Sequence, residues 1–212
     1  MPKAWKPVAD LTTLRLRAQM LATIRTFFAQ KEVLEVETPL LCSATGTDPQ
    51  LDFFSSFYRC KPKNKEMFLQ TSPEFAMKRL LAAGSGSIFQ ICKAFRNAET
   101  GRFHNPEFSI LEWYRVGFSL DQLMDEVAEL LVKVNRQAIP NIQKISYKDI
   151  FEQVTGLNPL VFCQQSYTEY ALKNGIKDAV SLCETDHSMW LDFIFSYKVQ
   201  PSLAGQMLCM VY

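Results

Sequence analysis

The sequence is poor in the residues that build most metal and disulfide sites. It holds only two histidines, and its six cysteines (Cys42, Cys60, Cys92, Cys163, Cys183 and Cys209) never form a CxxC pair. A zinc site needs Cys or His ligands clustered at short spacing, so this pattern argues against a metal centre of that kind. Scattered thiols of this sort read as reduced, which points to the cytoplasm. Charge of either sign is not in excess. Lys and Arg total 23 against 22 Asp and Glu, a net of +1. Composition therefore gives no general pull toward nucleic acid or an acidic membrane surface. No apolar run reaches the roughly 18 residues of a membrane span. The N-terminal MPKAWKPVAD lacks the apolar core of a secretory signal.

What is present suits an ordinary globular protein. The 212 residues are 48% hydrophobic and 21% charged, enough for one substantial domain with its own core. Phenylalanine is abundant, at 16, which favours an aromatic core.

The most informative stretch runs from Phe89 to Arg115, FQICKAFRNAETGRFHNPEFSILEWYR. Apolar runs over Ile88 to Phe95 and Glu107 to Val116 flank a polar segment with Gly101, Asn105 and Pro106. That pattern predicts two antiparallel strands joined by a long loop. Hairpin loops commonly have about 2–5 residues. A longer one carrying Arg96, Asn97, Glu99, Arg102, His104 and Asn105 suggests a site for a nucleotide or another anion. Arginine offers a planar fork that matches phosphate oxygens. Asn and His add hydrogen bonds, and Phe108 offers a flat face for a base. The plain alternative is a solvated hairpin tip.

Other elements follow from local signals. Thr12 or Thr13 can cap a helix running to about Gln30, with Leu14, Ala18, Leu21, Ile24 and Phe28 on one face. Leu51–Arg59 and Glu66–Gln70 read as strands around a basic turn, Lys61–Lys65. Thr71 or Ser72 can cap a helix from Pro73, ended by Gly84 and Gly86. Glu74 in its first turn suits the positive helix end. Ser119 with Gln122 makes a capping box. The helix after it carries Asp121, Asp125, Glu126 and Glu129 on what reads as a solvated face. Further helices are expected at Tyr147–Val154 capped by Ser146, after Ser166 with Glu169 up to Gly175, and at His187–Tyr197 capped by Asp186. His187 suits a surface or capping role.

Three ordered segments carry a resemblance. FRNAETGRFHNPEF (Phe95–Phe108), continued by SILEWYR, resembles motif 2 of class II aminoacyl-tRNA synthetases of the lysyl type. VLEVETP (Val33–Pro39) resembles their motif 1 region, and TSPEFAMKRLL (Thr71–Leu81) their substrate-pocket segment. The GR-aromatic-HNPEF approach and the LEWYR exit look most like the short paralogues that ligate lysine to elongation factor P. The match is close over most of Thr12–Leu131 and loose beyond it.

The resemblance implies an α+β fold, an antiparallel sheet flanked by helices. It implies a partial class II catalytic domain over 1–212, with a motif 1 and motif 2 core at 12–138 and a helical insertion at 139–200. The implied reaction uses ATP and Mg2+ to activate (R)-β-lysine or lysine as an adenylate. The acyl group then passes to a lysine of elongation factor P. By position, Arg96 is the catalytic residue and holds the α-phosphate. Asn97, His104, Asn105 and Phe108 contact the nucleotide, and Ser72, Pro73, Glu74 and Tyr114 line the lysine pocket. Motif 1 implies a homodimer.

Two departures stand out. The family's Arg-x-Glu core has Ala98 where the glutamate belongs. Glu99 comes one residue late, which on a strand turns it to the other face. The chain also stops at Met207–Tyr212, before any match to motif 3 or to the acidic Mg2+ ligands. The fold is thus expected to be incomplete at its C-terminus, with catalysis impaired. There is no room for an anticodon-binding domain, which argues against tRNA as partner. The other readings are a lysyl-tRNA synthetase catalytic core and a non-catalytic dimerising remnant.

Overall fold

The computed structural model describes residues 6–59, 61–99, 101–135, 142–205 and 208–212. The first five residues, Cys60, Met207 and Ile139, where the insertion was expected to begin, lie outside the described residues. The chain divides into two compact units, Met1–Val134 and Asn135–Tyr212. Helices and sheets with both parallel and antiparallel pairing make the content α+β.

The first unit opens with helix α1, Leu11–Gln30. Its cap is Asp10, not Thr12 or Thr13: the Asp10 carboxylate accepts from the Thr13 N–H at 2.7 Å. A carboxylate satisfies the orphan donor and also meets the positive helix end. Only the second half of α1 is buried, through Ile24, Phe27 and Phe28, while Leu14 and Ala18 of the expected face are exposed.

Strands β1 (Leu34–Glu35), β2 (Leu41–Cys42), β3 (Ser55–Tyr58) and β4 (Lys65–Leu69) follow, then α2 (Glu74–Ala82), β5 (Ile88–Phe95), β6 (Glu107–Tyr114) and α3 (Leu120–Val134). One sheet has the order β1-β5-β6, with β1 parallel and β6 antiparallel to β5. The long hairpin is as expected, in register from Ile88 opposite Tyr114 to Phe95 opposite Glu107. A second, antiparallel sheet has the order β2-β4-β3. The strand expected over Leu51–Arg59 shrinks to Ser55–Tyr58, with an isolated bridge from Asp52 to Asn97.

Alternation along β5 and β6 divides their side chains between two faces. Phe89, Ile91, Leu111 and Trp113 pack with Ile24, Phe27, Phe28, Val33 and Leu130 in an aromatic core. There Phe28 stacks on Phe89 with centroids 4.5 Å apart. Gln90, Cys92, Ile110, Glu112 and Tyr114 take the other face. Ser119 and Gln122 form the expected capping box ahead of α3. The acidic face of α3 is not wholly solvated. Glu126 is 3% exposed and pairs with Arg115, and Glu129 pairs with Lys31 at 2.7 Å.

In the second unit, β7 (Ile142–Ile145) pairs in parallel with β8 (Leu208–Val211). Helix α4 (Tyr147–Thr155) is capped by Ser146 and closed by Gly156 at φ 74°. Helix α5 (Gln164–Lys173) begins at Cys163, so Ser166 and Glu169 lie inside it and do not cap it. The Ser166 hydroxyl turns back to the Cys163 thiol at 3.2 Å, and Glu169 accepts from the Gln165 amide. Helix α6 (Lys177–Cys183) has no counterpart in the expectations. Helix α7 (His187–Ile194) is capped by Asp186, then widens into a π-helical turn over Phe195–Val199 and ends in α8, Gln200–Ser202. Trp190, Tyr167, Phe151 and Ile194 centre the core. His187 is half-buried against Phe162 and the Tyr167 hydroxyl at 3.3 Å, a packing position.

Candidate functional site

A cavity of about 830 Å³ opens in the first unit, lined by the 42–48 loop together with Ser72, Glu74, Arg79, Arg96 and Ile110. Its lining includes the carboxylates of Asp48 and Glu74 and the guanidinium groups of Arg79 and Arg96. The TSPE segment supplies Glu74. Pro73 sits in the N-cap position of α2 and is fully buried, so it sets the helix start and does not line the cavity. Ser72 is the local organiser. Its hydroxyl accepts from the Glu74 N–H at 3.1 Å and donates to the Glu112 carboxylate at 2.6 Å. The other Glu112 oxygen accepts from the Tyr114 hydroxyl at 2.7 Å. Glu74 pairs with Lys78 one turn further along α2. Both partners are about half exposed, so this pair is weak and open to exchange for another ammonium.

Tyr114 is held well above the ordinary phenol range. Burial is the larger cause, followed by its hydrogen bond to Glu112 and the negative charges of Glu112 and Glu74. It therefore stays a neutral donor to Glu112 across physiological pH. Burial also pushes the Cys92 thiol up, against weaker opposing hydrogen bonds from Gln70 and Gln90.

Arg96 follows β5 directly. Its backbone N–H donates to the Pro106 carbonyl at 3.0 Å, which ties the two ends of the motif 2 loop. Its guanidinium carbon lies 5.1 Å from the Phe108 ring centroid. Its Nε is buried without a hydrogen-bond partner, a donor left for a ligand. The face argument about Glu99 does not hold. The strand has ended at Phe95, and Ala98 adopts a left-handed backbone at φ 58°. That bend brings Glu99 back to Arg96, with 3.8 Å between Oε1 and Nη1.

The expected nucleotide residues are not all gathered. Ser72, Glu74 and Arg96 line the cavity; Glu112, Tyr114 and Phe108 do not line it, and touch lining residues through the Ser72–Glu112–Tyr114 hydrogen bonds and the Arg96–Phe108 contact. Asn97, His104 and Asn105 are exposed and do not line it. Asn97 closes the bend at Ala98 with its side-chain oxygen, and His104 pairs with Gly101 across the loop tip. Glu112 went unnoticed as a site residue. It stands two before Tyr114, hence on the same strand face, and that spacing could have found it.

Among the described residues no group of three or more His, Cys, Asp or Glu side chains could hold a metal ion. No chemical step is assigned to Mg2+ here. Nor, among the described residues, is any helix long and apolar enough to cross a membrane. Cys42, Cys92, Cys163, Cys183 and Cys209 are free thiols.

Comparison with known proteins matches residues 9–191 to the family model for class II tRNA synthetases (D, K and N). A relative from Pseudoalteromonas translucida, named elongation factor P–(R)-β-lysine ligase, is 45% identical over 210 residues. That alignment covers 98% of this chain and 64% of the relative. Relatives of the same name from Vibrio vulnificus and from Buchnera aphidicola are 43% and 38% identical, each covering all of this chain and 65% of the relative. The chain thus spans a little under two thirds of the length of the curated relatives it matches.

Proposed function

The chain belongs to the class II tRNA synthetase family (D, K and N), and from that premise we propose that it activates (R)-β-lysine with ATP and transfers it to elongation factor P. The names of its relatives support the substrate and acceptor. The observation that carries the reading is that Ser72, Glu74 and Arg96 line one cavity, with Ser72 hydrogen-bonded to Glu112 and Glu112 to Tyr114.

A diamino acid presents ammonium groups and one carboxylate. Glu74 and Glu112 offer partners for ammonium, and Arg96 offers one for phosphate and carboxylate oxygens. In the first step a substrate carboxylate oxygen attacks the α-phosphorus. The P–O bond to pyrophosphate breaks, and the mixed anhydride forms. Arg96 neutralises charge that builds on the α-phosphate, and Phe108 offers a ring face to the adenine. The step needs positioning and charge stabilisation more than proton transfer. In the second step a lysine ε-amine attacks the acyl carbon, AMP leaves and the amine loses its proton.

Family use of Mg2+ and ATP supports both as requirements of the whole protein. Leu11, Leu14 and Met20 leave an apolar stretch of α1 exposed at 69%, 46% and 40%, which favours a homodimer through this helix. Free thiols suit a cytoplasmic protein.

The test is acyl transfer by this chain with ATP, labelled (R)-β-lysine, and either elongation factor P or lysine-accepting tRNA. Label on an elongation factor P lysine is the expected result. Label on tRNA would replace this reading with a lysyl-tRNA synthetase core, and a dimer without label would leave the dimerising remnant.

A further inference from the structure

The LEWYR segment holds one charged residue that the site chemistry leaves unused. Arg115 directly follows β6, and its side chain is only 13% exposed. Its Nε lies 3.1 Å from Glu126 Oε2 as an ion pair without hydrogen-bond alignment, both atoms being buried with no hydrogen-bond partner, and its guanidinium carbon lies 4.3 Å from the Phe118 ring centroid. The other Glu126 oxygen accepts from the Trp113 indole N–H at 3.1 Å. Glu126 is 3% exposed and sits in the middle of α3. Trp113 near the end of β6 and Arg115 just past it, two positions apart, thus both meet one buried carboxylate.

The same strand end carries the candidate ammonium site on its opposite face. Glu112 and Tyr114 alternate with Trp113 and Arg115, so the two sets point to opposite sides of the sheet. Glu112 and Tyr114 are bound to each other and to Ser72. That trio ties β6 to the start of α2 through Ser72, whereas the Trp113 and Arg115 contacts tie it to α3. A buried ion pair costs desolvation and is a poor source of net stability beside an apolar pair of like volume. A role in fixing geometry accounts for it better.

We propose that Glu126 and Arg115 are positioning residues for amino acid binding, holding the end of β6 so that Glu112 and Tyr114 meet the ammonium groups of the substrate. This rests on the lysine-pocket reading above. The clamp acts on the amino acid end of β6. Phe108 and Arg96 lie toward the other end, and α3 does not hold them through these contacts.

The test uses the whole chain and the variants Glu126→Gln, Arg115→Met and Leu130→Ala. Leu130 is a buried neighbour on α3 outside the clamp, and its truncation serves as the stability control. Calorimetry reads the affinities for (R)-β-lysine and for ATP. NMR of 13C-tyrosine protein reads the Tyr114 ring resonance without any ligand. Glu126→Gln and Arg115→Met are expected to weaken (R)-β-lysine binding roughly ten-fold, with ATP affinity held within about two-fold. The Tyr114 resonance should move in both. Leu130→Ala should lower the melting temperature and leave the resonance and both affinities in place.

Equal losses for the two ligands, or the same losses in Leu130→Ala, would make the pair merely structural and overturn the proposal. An unmoved Tyr114 resonance would also overturn it. If the unaltered chain binds no lysine-type amino acid while Tyr114 still responds to the clamp variants, the clamp stands and the pocket reading fails.

Discussion

Replacing Glu112 by glutamine tests the site where its geometry is tightest. The Glu112 carboxylate accepts from Ser72 at 2.6 Å and from Tyr114 at 2.7 Å. Glutamine keeps one acceptor oxygen and loses the charge. An ammonium and a carboxylate about 4 Å apart interact by ~4 kcal/mol at an effective dielectric near 20. Desolvation of the ligand and the remaining amide dipole reduce the difference to about 2–3 kcal/mol, the range of a hydrogen bond to a charged group. That predicts a roughly 30- to 150-fold weaker complex with (R)-β-lysine. Phe108 lies four residues back along β6, about 13 Å at the usual strand rise. That exceeds the Debye length of about 8–10 Å at ordinary ionic strength, so ATP affinity should change less than about two-fold. Calorimetric titration of each ligand reads both numbers. A loss below three-fold for the amino acid, or an equal loss for ATP, refutes the assignment of Glu112 to the ammonium group.

Other outcomes follow from the same structure. Arg96→Ala removes the guanidinium whose Nε is buried without a partner, and should weaken ATP binding more than about ten-fold while circular dichroism stays unchanged. Unaltered ATP affinity would sink the phosphate role. Glu74→Gln should weaken amino acid binding more than ATP binding, and equal losses would contradict its place in the lysine pocket. Phe28→Ala empties a fully buried position stacked on Phe89, and should cost roughly 3–5 kcal/mol in urea unfolding. A cost under about 1 kcal/mol would show that the aromatic core does not hold the first unit. Gly156→Ala places a side chain at φ 74° with no heavy atom within 4 Å of the added carbon, so the cost is conformational alone. It should come to about 1–2 kcal/mol for the second unit, and a neutral result would remove the left-handed cap as the reason for this glycine.

Strongly periodic and locally capped elements were legible in the sequence. The β5–β6 hairpin came from two apolar runs around a Gly/Asn/Pro segment, and Ser146, Asp186 and the Ser119–Gln122 box marked helix starts correctly. The failures share a cause, which is competition between local signals that only tertiary context resolves. Asp10 beat two threonines for the α1 cap because its carboxylate is the stronger acceptor at that end. Glu126 read as solvated beside Asp121, Asp125 and Glu129. It lies three after Leu123 and four before Leu130, though, which puts it on the buried stripe of α3. Arg115, just ahead of α3 in the chain, pairs with it there, and the Trp113 indole N–H meets its other oxygen. Helix α6 escaped because it is short and bears no side-chain cap. At the candidate site the motifs pointed to Ser72, Glu74 and Arg96, which line the cavity, and to Tyr114, which does not, while Glu112, hydrogen-bonded to both Ser72 and Tyr114, was passed over. The bend at Ala98 could not be foreseen, because a non-glycine residue with positive φ has no local signature.

The central claim is that this cavity activates a lysine-type amino acid. ATP–pyrophosphate exchange by the 212-residue chain, with (R)-β-lysine and L-α-lysine compared, tests it most directly. Exchange that depends on the amino acid and favours (R)-β-lysine is the predicted result. A folded chain that exchanges with neither amino acid would contradict the claim and leave the cavity as a binding scaffold without adenylate chemistry.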